Sequence, residues 1–337
     1  MANRSALVTG ATGFIGGRLV STLVEKGWSV RACGRRDRPD DLPPAAEYEA
    51  VDLAGGDDLT GLYAGVTHLF HLAGASSSNA DEAEMERANV VATENLLGAA
   101  PPRQLERVVH MSSTSVYGEE EQLPLPVRED VEPRPSRAYG KAKWRTEQVV
   151  CGSGLPVVVL RPVSVYGPGN VKLLASAILD VAIEAFAGAR AVPVPAEPIE
   201  QRLVHLDDLL AATLHVAEAD EAVGRAFNVV DGCYPTSHDI ARILTGHFDL
   251  EVVIADDPDA GPSYEERQRS HAAMVEQGMK PNILLTKERF RFMRKANRNN
   301  RVSIDALLST GFRFEHTDLE RSIGSTIAWY GDHRWIL

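Results

Sequence analysis

The chain has 337 residues, 44% of them hydrophobic and 24% charged, which is enough to bury a sizeable core as two domains or one large α/β unit. Lysine and arginine number 35 against 47 aspartates and glutamates, and the net charge of −12 argues against general affinity for nucleic acid or anionic membranes. The 3 cysteines are far apart, which indicates neither a disulfide framework nor a metal site. The start of the chain lacks the apolar core of a signal peptide and no apolar run has the length of a membrane span, so we expect a cytoplasmic protein.

A glycine-rich segment, Thr-Gly-Ala-Thr-Gly-Phe-Ile-Gly, occupies residues 9–16. The apolar residues 5–8 before it predict a buried strand, and the apolar spacing over 18–24 after it predicts a helix. Glycines at 10, 13 and 16 would let the backbone turn tightly and approach a diphosphate, which the free N–H groups at the start of the helix would bind. The spacing is G-x-x-G-x-x-G rather than G-x-G-x-x-G, but the strand and helix that flank it favour a dinucleotide site.

Predicted strands and helices alternate through the first half of the chain. Strands are predicted at 28–33, 67–72, 107–111 and 156–161, and helices at 82–100 and 139–150. A surface loop is predicted over 118–135, and a helix at 207–219 followed by a strand at 225–230 indicates a return to the sheet. Apolar strands separated by helices are typical of a parallel sheet covered on both faces. We therefore predict an α/β fold with a doubly wound, Rossmann-type parallel sheet and a smaller mixed C-terminal lobe.

The segment 286–301 is basic in a chain that is acidic overall. Its cationic residues are Lys287, Arg289, Arg291, Arg294, Lys295, Arg298 and Arg301. A solvated helix face is the simpler interpretation of this segment. The alternative is a patch over an anionic substrate or a cofactor phosphate.

Tyr139 and Lys143 are four residues apart on a predicted helix and therefore share one face. A phenol has an ordinary pKa of about 10, which is too high for ready proton transfer at neutral pH. A neighbouring ammonium would lower the pKa of Tyr139 and make it usable as a general acid or base. A half-buried tyrosine beside a solvated lysine is the alternative.

The segment 111–118, Met-Ser-Ser-Thr-Ser-Val-Tyr-Gly, follows a predicted strand at the edge where open α/β sheets bind ligands. A hydroxyl there would hydrogen-bond a substrate oxygen as charge develops on it. Taken alone, the cluster favours the simpler interpretation of a turn.

Together these segments resemble the extended short-chain dehydrogenase/reductase family, which includes nucleotide-sugar epimerases, dehydratases and many ketoreductases. The matching motifs are T-G-x-x-G-x-x-G at 9–16, Asp52-Leu53, His71-Leu72-Ala73-Gly74, N-V-V-A-T-E-N-L-L from Asn89, S-S-x-x-V-Y-G at 112–118, Tyr139-x-x-x-Lys143, R-P at 161–162 with V-Y-G-P-G at 165–169, L-V-H-L-D-D-L at 203–209 and F-N-V at 227–229. Each motif alone is weak, whereas the ordered set over most of the chain is specific.

The resemblance implies that Tyr139 exchanges a proton with the reacting carbonyl or alcohol, that Lys143 lowers the pKa of Tyr139 and binds the nicotinamide ribose, and that Ser113 polarises the substrate oxygen. The cofactor-binding residues that it implies are Gly10, Thr12, Gly13, Phe14, Ile15, Gly16, Arg35, Asp52, Leu53, Leu72, Ala73, Gly74, Asn89, Tyr139 and Lys143. Among these, Asp52 would approach the adenine and Ala73 the phosphoribose. His71 and His205 are interpreted as core residues.

The choice of cofactor depends on the end of the second predicted strand. Members of the family that prefer NAD commonly carry an acidic residue there, which binds the ribose 2′-hydroxyl. Here Gly34 takes that position and Arg35 and Arg36 follow, which suits a 2′-phosphate because arginine binds phosphate bidentately. Asp37 would partly offset this charge, so NADP is favoured and NAD stays open.

Two further positions bear on the substrate. Family members that act on nucleotide-diphosphate sugars often carry Asn before V-Y-G-P and Arg before the later strand, where this chain has Ser164 and Gln201, with Arg202 one position later. These differences weaken the case for a nucleotide-sugar substrate. The segment 113–115 is Ser-Thr-Ser and lacks the acid pair that dehydratases use, which argues against dehydration.

The leading hypothesis is an NADP(H)-dependent oxidoreductase that interconverts a secondary alcohol and a ketone. A nucleotide-sugar 4-epimerase with tightly bound NAD is the alternative, and a non-catalytic nucleotide-sensing protein is a third. We predict a dinucleotide-binding domain over 1–164, rejoined by 204–231, and a substrate lobe from 165–203 and 232–337. The family resemblance implies a homodimer formed through two helices, here 82–100 and 139–150, and a small-molecule substrate.

Overall fold

The computed structural model describes residues 4–76, 81–101, 103–118, 123–257, 260–291 and 301–337. The chain divides into two compact units. The first unit contains 1–163, 209–229 and 302–313, and the second contains 164–208, 230–301 and 314–337. None of the helices in the described residues is both long enough and apolar enough to cross a membrane.

A parallel sheet of seven strands forms the centre of the first unit, in the order β3-β2-β1-β4-β5-β6-β10. The strands of the chain are β1 (Ser5–Thr9), β2 (Ser29–Gly34), β3 (Glu47–Ala50), β4 (His68–His71), β5 (Arg107–Met111), β6 (Val157–Pro162), β7 (Ser164–Tyr166), β8 (Ala191–Pro195), β9 (Leu203–His205), β10 (Ala226–Val229) and β11 (Glu251–Ala255). Every residue of β4, β5 and β6 is buried, as expected for strands covered by helices on both faces. The predicted doubly wound α/β fold is confirmed.

Helices connect these strands. They are α1 (Phe14–Glu25), α2 (Glu82–Met85), α3 (Ala92–Gly98), α4 (Ala138–Gly152), α5 (Leu174–Phe186), α6 (Leu206–Glu218), α7 (Ser237–Gly246), α8 (Tyr264–Glu276), α9 (Asp305–Leu308) and α10 (Leu319–Asp332). The single helix predicted over 82–100 is interrupted by a π-helical segment, Glu86–Val91, between α2 and α3. Insertions of this kind are frequent at functional sites because they turn side chains that an α-helix would direct elsewhere.

The order of the sheet reverses between β1 and β4, because the chain runs outward from β1 to β3 and then returns to place β4 on the other side of β1. The register pairs Thr9 with Cys33 on one side and with His71 on the other, so the carboxyl ends of β1, β2 and β4 lie at one edge. Open α/β sheets bind ligands at such a reversal.

The second unit has its own hydrophobic core around α5, whose residues from Leu174 to Glu184 are all buried. Two acids one turn apart on α5 form buried ion pairs: Asp180 with Arg267 at 2.8 Å and Glu184 with Arg289 at 2.5 Å. Two short parallel pairs, β7 with β9 and β8 with β11, complete the sheet structure of this unit.

The described basic residues of 286–301 do not form a single exposed surface. Arg289 is buried against Glu184, whereas Arg301 pairs with Glu200 at the surface at 2.5 Å, and Lys287 and Arg291 are exposed. The expectation of a solvated face therefore does not hold for Arg289. The predicted cations at 294, 295 and 298 lie outside the described residues.

The unit boundaries differ from the predicted domains at 302–313, which we placed in the substrate lobe. In the structure Val302 bridges to Val127, the Asn228 side chain donates to the Ser303 carbonyl at 3.1 Å, and His215 lies 2.8 Å from the Thr310 hydroxyl. These contacts attach the segment to the first unit. The return to the first unit also begins at 209 rather than at the predicted 204.

Candidate functional site

The glycine turn after β1 brings three backbone segments too close together for side chains. Gly10 has a φ of 72°, and a Cβ there would lie 2.8 Å from the amide nitrogen of Ala73. A Cβ on Gly16 would lie 2.2 Å from the carbonyl oxygen of Gly10. Only glycine fits at both positions, so the start of α1 stays open to an approaching ligand.

The start of α1 has no side-chain cap. Gly13 is its N-cap residue and no side chain accepts from the first amides, whereas α7 and α8 begin with complete capping boxes at Thr236 and Ser263. The amides in the first turn of α1, which begins with Phe14 and Ile15, are therefore available to an anion such as a diphosphate. Arg36 also stabilises the backbone at Thr12, because its guanidinium donates a hydrogen bond to the Thr12 carbonyl at 2.9 Å.

Next to this turn, the side chains of Thr12 and Tyr48 pack closely against Gly34 at the end of β2. A Cβ on Gly34 would lie 2.9 Å from the Thr12 side chain and 3.0 Å from the Tyr48 hydroxyl. A larger residue at this position, such as the acid that NAD-preferring members of the family commonly carry, would require the Thr12 and Tyr48 side chains to shift. Arg35 is exposed, and its charge contributes to a lowered pKa of Asp52.

Just after β3, the Asp52 carboxylate forms a salt bridge with Arg87 of the π-helical segment Glu86–Val91. This carboxylate accepts from Arg87 at 2.6 Å and from the amide of Ala54 at 3.1 Å. The hydrogen bond from Arg87 is the main reason that the pKa of Asp52 lies below its ordinary value. Leu53 is buried, and its carbonyl accepts from Asn95.

A chain of hydrogen bonds fixes the end of β4. The Thr9 hydroxyl accepts from the amides of Leu72 and Ala73 at 3.2 and 3.1 Å, so its own proton is left for His71 Nδ1 at 2.8 Å. His71 Nε2 is then the donor to Thr93 at 2.8 Å. Burial lowers the pKa of His71 to about 3, so the ring is neutral, and its interpretation as a satisfied core residue is confirmed.

Asn89, on the π segment, directs an unsatisfied oxygen into the site. Its amide nitrogen donates to the Met85 carbonyl at 2.9 Å, whereas its Oδ1 is buried without a partner in the described residues. A Cβ on Gly74 would lie 2.3 Å from this oxygen and 3.6 Å from Lys143 Nζ. Gly74, Asn89 and Lys143 therefore surround one small space.

Lys143 is buried on α4 and donates to the Met111 carbonyl at the end of β5, at 2.8 Å. Burial lowers the pKa of Lys143 to about 8, and the negative charge of Glu147 opposes this effect. At neutral pH the side chain is an ammonium with few hydrogen-bond partners of its own, which suits a group that binds a ligand hydroxyl.

Ser113 lies close enough to Tyr139 to influence the pKa of its hydroxyl. Burial raises the pKa of Tyr139 above its ordinary value, and a hydrogen bond with Ser113 opposes that rise. Ser113 Oγ also donates to Ser115 Oγ at 3.0 Å. Gly140 permits this approach of α4, because a Cβ there would lie 2.5 Å from the Ser115 carbonyl oxygen.

The direction of the pKa shift of Tyr139 differs from the sequence expectation. We expected the Lys143 ammonium to lower the pKa of Tyr139, but the pKa is raised and the opposing effect comes from Ser113. The physical reason is that Lys143 is directed to the Met111 carbonyl and towards Asn89. Tyr139 is thus held as a neutral phenol.

A family model described as the NAD dependent epimerase/dehydratase family matches residues 6–230, which include the glycine turn, Ser113, Tyr139 and Lys143. The chain belongs to this family. The resemblance to the extended short-chain dehydrogenases/reductases is thereby confirmed.

Curated relatives of the epimerase/dehydratase family have several activities. A 4-hydroxy-2-methyl-3-oxo-4-farnesyl-3,4-dihydroquinoline-1-oxide ketoreductase of Stigmatella aurantiaca is 34% identical over 50% of this chain and 52% of its own length. A GDP-6-deoxy-D-mannose reductase of Pseudomonas aeruginosa is 28% identical over 82% of this chain and 92% of its own. A UDP-glucose 4-epimerase of Vibrio cholerae is 28% identical over 75% and 76%. The chain thus spans about half the length of the ketoreductase.

Solved structures are similar over nearly the whole chain. The structure of MoeE5 in complex with UDP-glucose and NAD has a TM-score of 0.72 at 24% identity and covers 98% of this chain and 99% of that one. At this identity the likeness establishes the fold.

Two of the three predicted substrate residues, Ser164 and Gln201, lie in the second unit, whereas Ser113 lies in the first. Ser164 begins β7 and pairs in register with Leu203 of β9, and Gln201 comes two residues before Leu203. Gln201 is 5% exposed, and its side-chain nitrogen is buried without a partner in the described residues. A buried amide donor without a partner is costly unless a ligand satisfies it.

One group with the chemistry of metal ligands also lies in the second unit. His205, Asp207 and His316 bring potential ligand atoms within 4.8 Å of one another. The rings of His205 and His316 stack at 4.0 Å and 14°, so their in-plane lone pairs do not converge on one point. The Nδ1 of His205 already accepts from the Asp207 amide, whereas its Nε2 is buried without a partner among the residues that the structure describes. His205 is therefore a buried residue, but it is not the fully satisfied core histidine that we expected.

Sequence reasoning missed Arg87, Gly140 and Glu147, and it gave Arg161 no role beyond its place in the R-P motif. Arg87 and Gly140 were not singled out, although a glycine inside a helical motif is a signal of close approach. Glu147 and Arg161 form a buried ion pair at 2.7 Å beneath Lys143. A glutamate four residues after Lys143 on the same helical face was the available signal for this pair.

Proposed function

We propose that the protein is an NADP(H)-dependent oxidoreductase that interconverts a secondary alcohol and a ketone. The observation that carries this proposal is that Ser113 acts on the pKa of Tyr139 at the carboxyl end of β5, with the buried ammonium of Lys143 one helical turn from Tyr139 on α4. Ketone reduction needs a hydride and a proton delivered to the two ends of one carbonyl group. The site offers a neutral phenol for the proton.

The side chains would divide this work. Ser113 donates a hydrogen bond to the substrate oxygen and orients it towards Tyr139. Tyr139 then gives its proton to that oxygen as the carbonyl becomes an alcohol, and takes it back in the reverse direction. The raised pKa of Tyr139, due to burial, keeps the proton on the phenol at neutral pH and favours the donor role.

A nicotinamide dinucleotide would supply or accept the hydride when bound. The observations that support its binding are the collisions that a Cβ would make at Gly10, Gly16 and Gly74, the start of α1 without a side-chain cap, and the unsatisfied oxygen of Asn89. The residues that we propose to bind it are Gly10, Thr12, Gly13, Phe14, Ile15 and Gly16 at the diphosphate, Arg35, Asp52 and Leu53 towards the adenosine, and Leu72, Ala73, Gly74, Asn89, Tyr139 and Lys143 towards the nicotinamide ribose.

We further propose that NADP is preferred to NAD. Gly34 offers no carboxylate to the ribose, the Thr12 and Tyr48 side chains pack closely around it, and the side chain of the neighbouring Arg35 is exposed. A 2′-phosphate would gain charge-assisted hydrogen bonds from Arg35, whereas a 2′-hydroxyl would find no carboxylate at position 34.

Arg35→Ala is expected to weaken NADPH binding about tenfold and to leave NADH binding nearly unchanged, because one charge-assisted contact is worth about 1.5 kcal/mol. Dissociation constants measured by cofactor fluorescence check this. Arg4→Ala is the matched control: Arg4 pairs with Glu218 and precedes β1, at the opposite edge of the sheet. Equal loss of NADPH and NADH affinity in Arg35→Ala would contradict the assignment.

For the substrate we propose a ketone or secondary alcohol whose oxygen is contacted by Ser113. Ser164 and Gln201, which belong to the second unit, stay predicted substrate residues. The neutral amide of Gln201 provides a hydrogen-bond donor without the charge that would favour a diphosphate. A relative named as a ketoreductase supports this reading, although a GDP-6-deoxy-D-mannose reductase covers more of the chain.

A nucleotide-sugar 4-epimerase with tightly bound NAD is the second candidate, and the relative from Vibrio cholerae favours it. The test is whether cofactor co-purifies with the protein. Protein that leaves gel filtration free of nicotinamide absorbance and then oxidises added NADPH with a panel of ketones supports the reductase. Protein that retains NAD and consumes no added NADPH supports the epimerase.

Three expectations stay predictions. A non-catalytic nucleotide sensor would bind cofactor and turn over neither class of substrate. The homodimer is tested by sedimentation and the cytoplasmic location by fractionation of cells.

A further inference from the structure

Three successive residues at the end of β5 contact one face of α4. The Met111 carbonyl accepts from Lys143 at 2.8 Å and the Ser112 hydroxyl donates to Glu147, while Ser113 is near enough to Tyr139 to influence its pKa. The helical partners are spaced four residues apart, so they lie in line along α4. Glu147 closes this line one turn after Lys143.

The Glu147 carboxylate is buried and fully engaged. It is 2% exposed, and besides Ser112 it accepts from Arg161 Nε at 3.0 and 3.2 Å and from Arg161 Nη2 at 2.7 Å. Bonds from a guanidinium in this bidentate geometry fix both the distance and the orientation of the acid.

Arg161 is itself anchored on the sheet. It lies in β6, its Nη1 donates to the Tyr117 hydroxyl at 2.8 Å and to the Glu129 carbonyl at 3.1 Å, and its guanidinium lies 5.0 Å from the Tyr117 ring centre. Tyr117 ends the 3₁₀ turn Thr114–Tyr117 that follows Ser113. The ion pair therefore connects α4 to β5, to β6 and to this turn.

We propose that Glu147 is a positioning residue, which holds Tyr139 and Ser113 in register and supplies the negative charge that stabilises the Lys143 ammonium. This inference rests on the proposed function for its catalytic meaning, because it assumes that Tyr139, Lys143 and Ser113 act together. Its physical content, the dependence of Lys143 on Glu147, can be measured without a substrate.

The electrostatic part follows from the surroundings of Lys143. The ammonium is buried and has a carbonyl as its hydrogen-bond partner, so removal from water disfavours its charge. The carboxylate of Glu147, one turn away, opposes this effect. Neutralising Glu147 also leaves the charge of Arg161 uncompensated, which disfavours a second cation nearby.

The experiment is the Glu147→Gln variant, with the titration of Lys143 followed by NMR on protein labelled at lysine with ¹³C. The signal is assigned by its loss in Lys143→Arg. In the wild type we expect the midpoint near the pKa of about 8 that burial produces. In Glu147→Gln we expect the midpoint about 1 pH unit lower. Turnover should fall about tenfold, because Tyr139 and Ser113 are then held less firmly in the geometry that the reaction needs.

Two controls separate positioning from general stability. Glu184→Gln breaks the other buried bidentate pair, with Arg289 in the second unit, and should lower the melting temperature without moving the Lys143 midpoint. The double variant Glu147→Met with Arg161→Met removes both charges and keeps the volume apolar, a change that buried pairs often tolerate. It should fold even if Glu147→Gln does not, and its Lys143 midpoint should also lie below that of the wild type.

Each outcome either supports or contradicts a stated part of the proposal. A Lys143 midpoint that is unchanged in Glu147→Gln and in the double variant overturns the inference, as does an equal change in Glu184→Gln. A lowered midpoint in a protein whose turnover survives Tyr139→Phe upholds the Lys143–Glu147 coupling and rejects the proposed function.

Discussion

Replacement of Tyr139 by phenylalanine is expected to lower turnover by about 10²- to 10⁴-fold, because the substitution removes the proton donor and leaves the ring in place. The hydroxyl that is lost is the one whose pKa Ser113 influences. The dissociation constant for NADPH should change little, since the glycine turn and Lys143 are untouched. Steady-state rates of NADPH oxidation with a ketone substrate, together with binding measured by fluorescence, check both parts.

Tyr63→Phe is the matched control for this substitution. The Tyr63 hydroxyl is also buried, and it donates to the Leu96 carbonyl at 2.7 Å, within the first unit. Its removal should reduce stability by about 1 kcal/mol and leave turnover intact. If Tyr139→Phe turns over the substrate nearly as fast as Tyr63→Phe does, Tyr139 is not the proton donor.

Gly16→Ala is expected to weaken binding of NADPH and NADH alike by about 100-fold or more, while the protein still folds. The added Cβ would lie 2.2 Å from the Gly10 carbonyl oxygen, so the turn must open to relieve the collision. Overpacking of this kind costs about 1–3 kcal/mol and shifts the backbone. The amides at the start of α1 would then no longer converge on a diphosphate. Calorimetric titration measures the loss, and circular dichroism confirms the fold.

Gly98→Ala provides the comparison. Gly98 is exposed at the end of α3, and a Cβ there meets nothing within 4 Å. Alanine is the better helix former by about 1 kcal/mol, so this variant should bind cofactor normally and melt no lower than the wild type. A Gly16→Ala protein that binds NADPH as Gly98→Ala does would show that the turn is not the diphosphate site.

The fold could be predicted because its signals are local. The apolar runs at β1, β4, β5 and β6 specify buried parallel strands, and the glycines at 10, 13 and 16 mark a turn that only residues without a Cβ can make. The order of the motifs along the chain then predicted that Ser113 follows a strand end and that Tyr139 and Lys143 share one face of a helix.

The remaining features depend on contacts between distant residues. Lys143 and Tyr139 share a helical face, but spacing cannot show that the ammonium is directed to the Met111 carbonyl instead of the phenol. The Glu147–Arg161 pair joins residues that are 14 apart and becomes evident only when α4 packs on β6. Likewise, 302–313 joins the first unit through single contacts such as that of Asn228 with Ser303, which leave no periodic pattern in the sequence.

A crystal structure of the protein grown with NADP⁺ tests the central claim most directly, because it places the cofactor relative to Tyr139 without knowledge of the substrate. The account predicts the diphosphate at the start of α1, the 2′-phosphate on Arg35, and the nicotinamide ribose on Lys143 with the ring facing the Tyr139 hydroxyl. A nicotinamide ring bound away from both Tyr139 and Lys143 would contradict it.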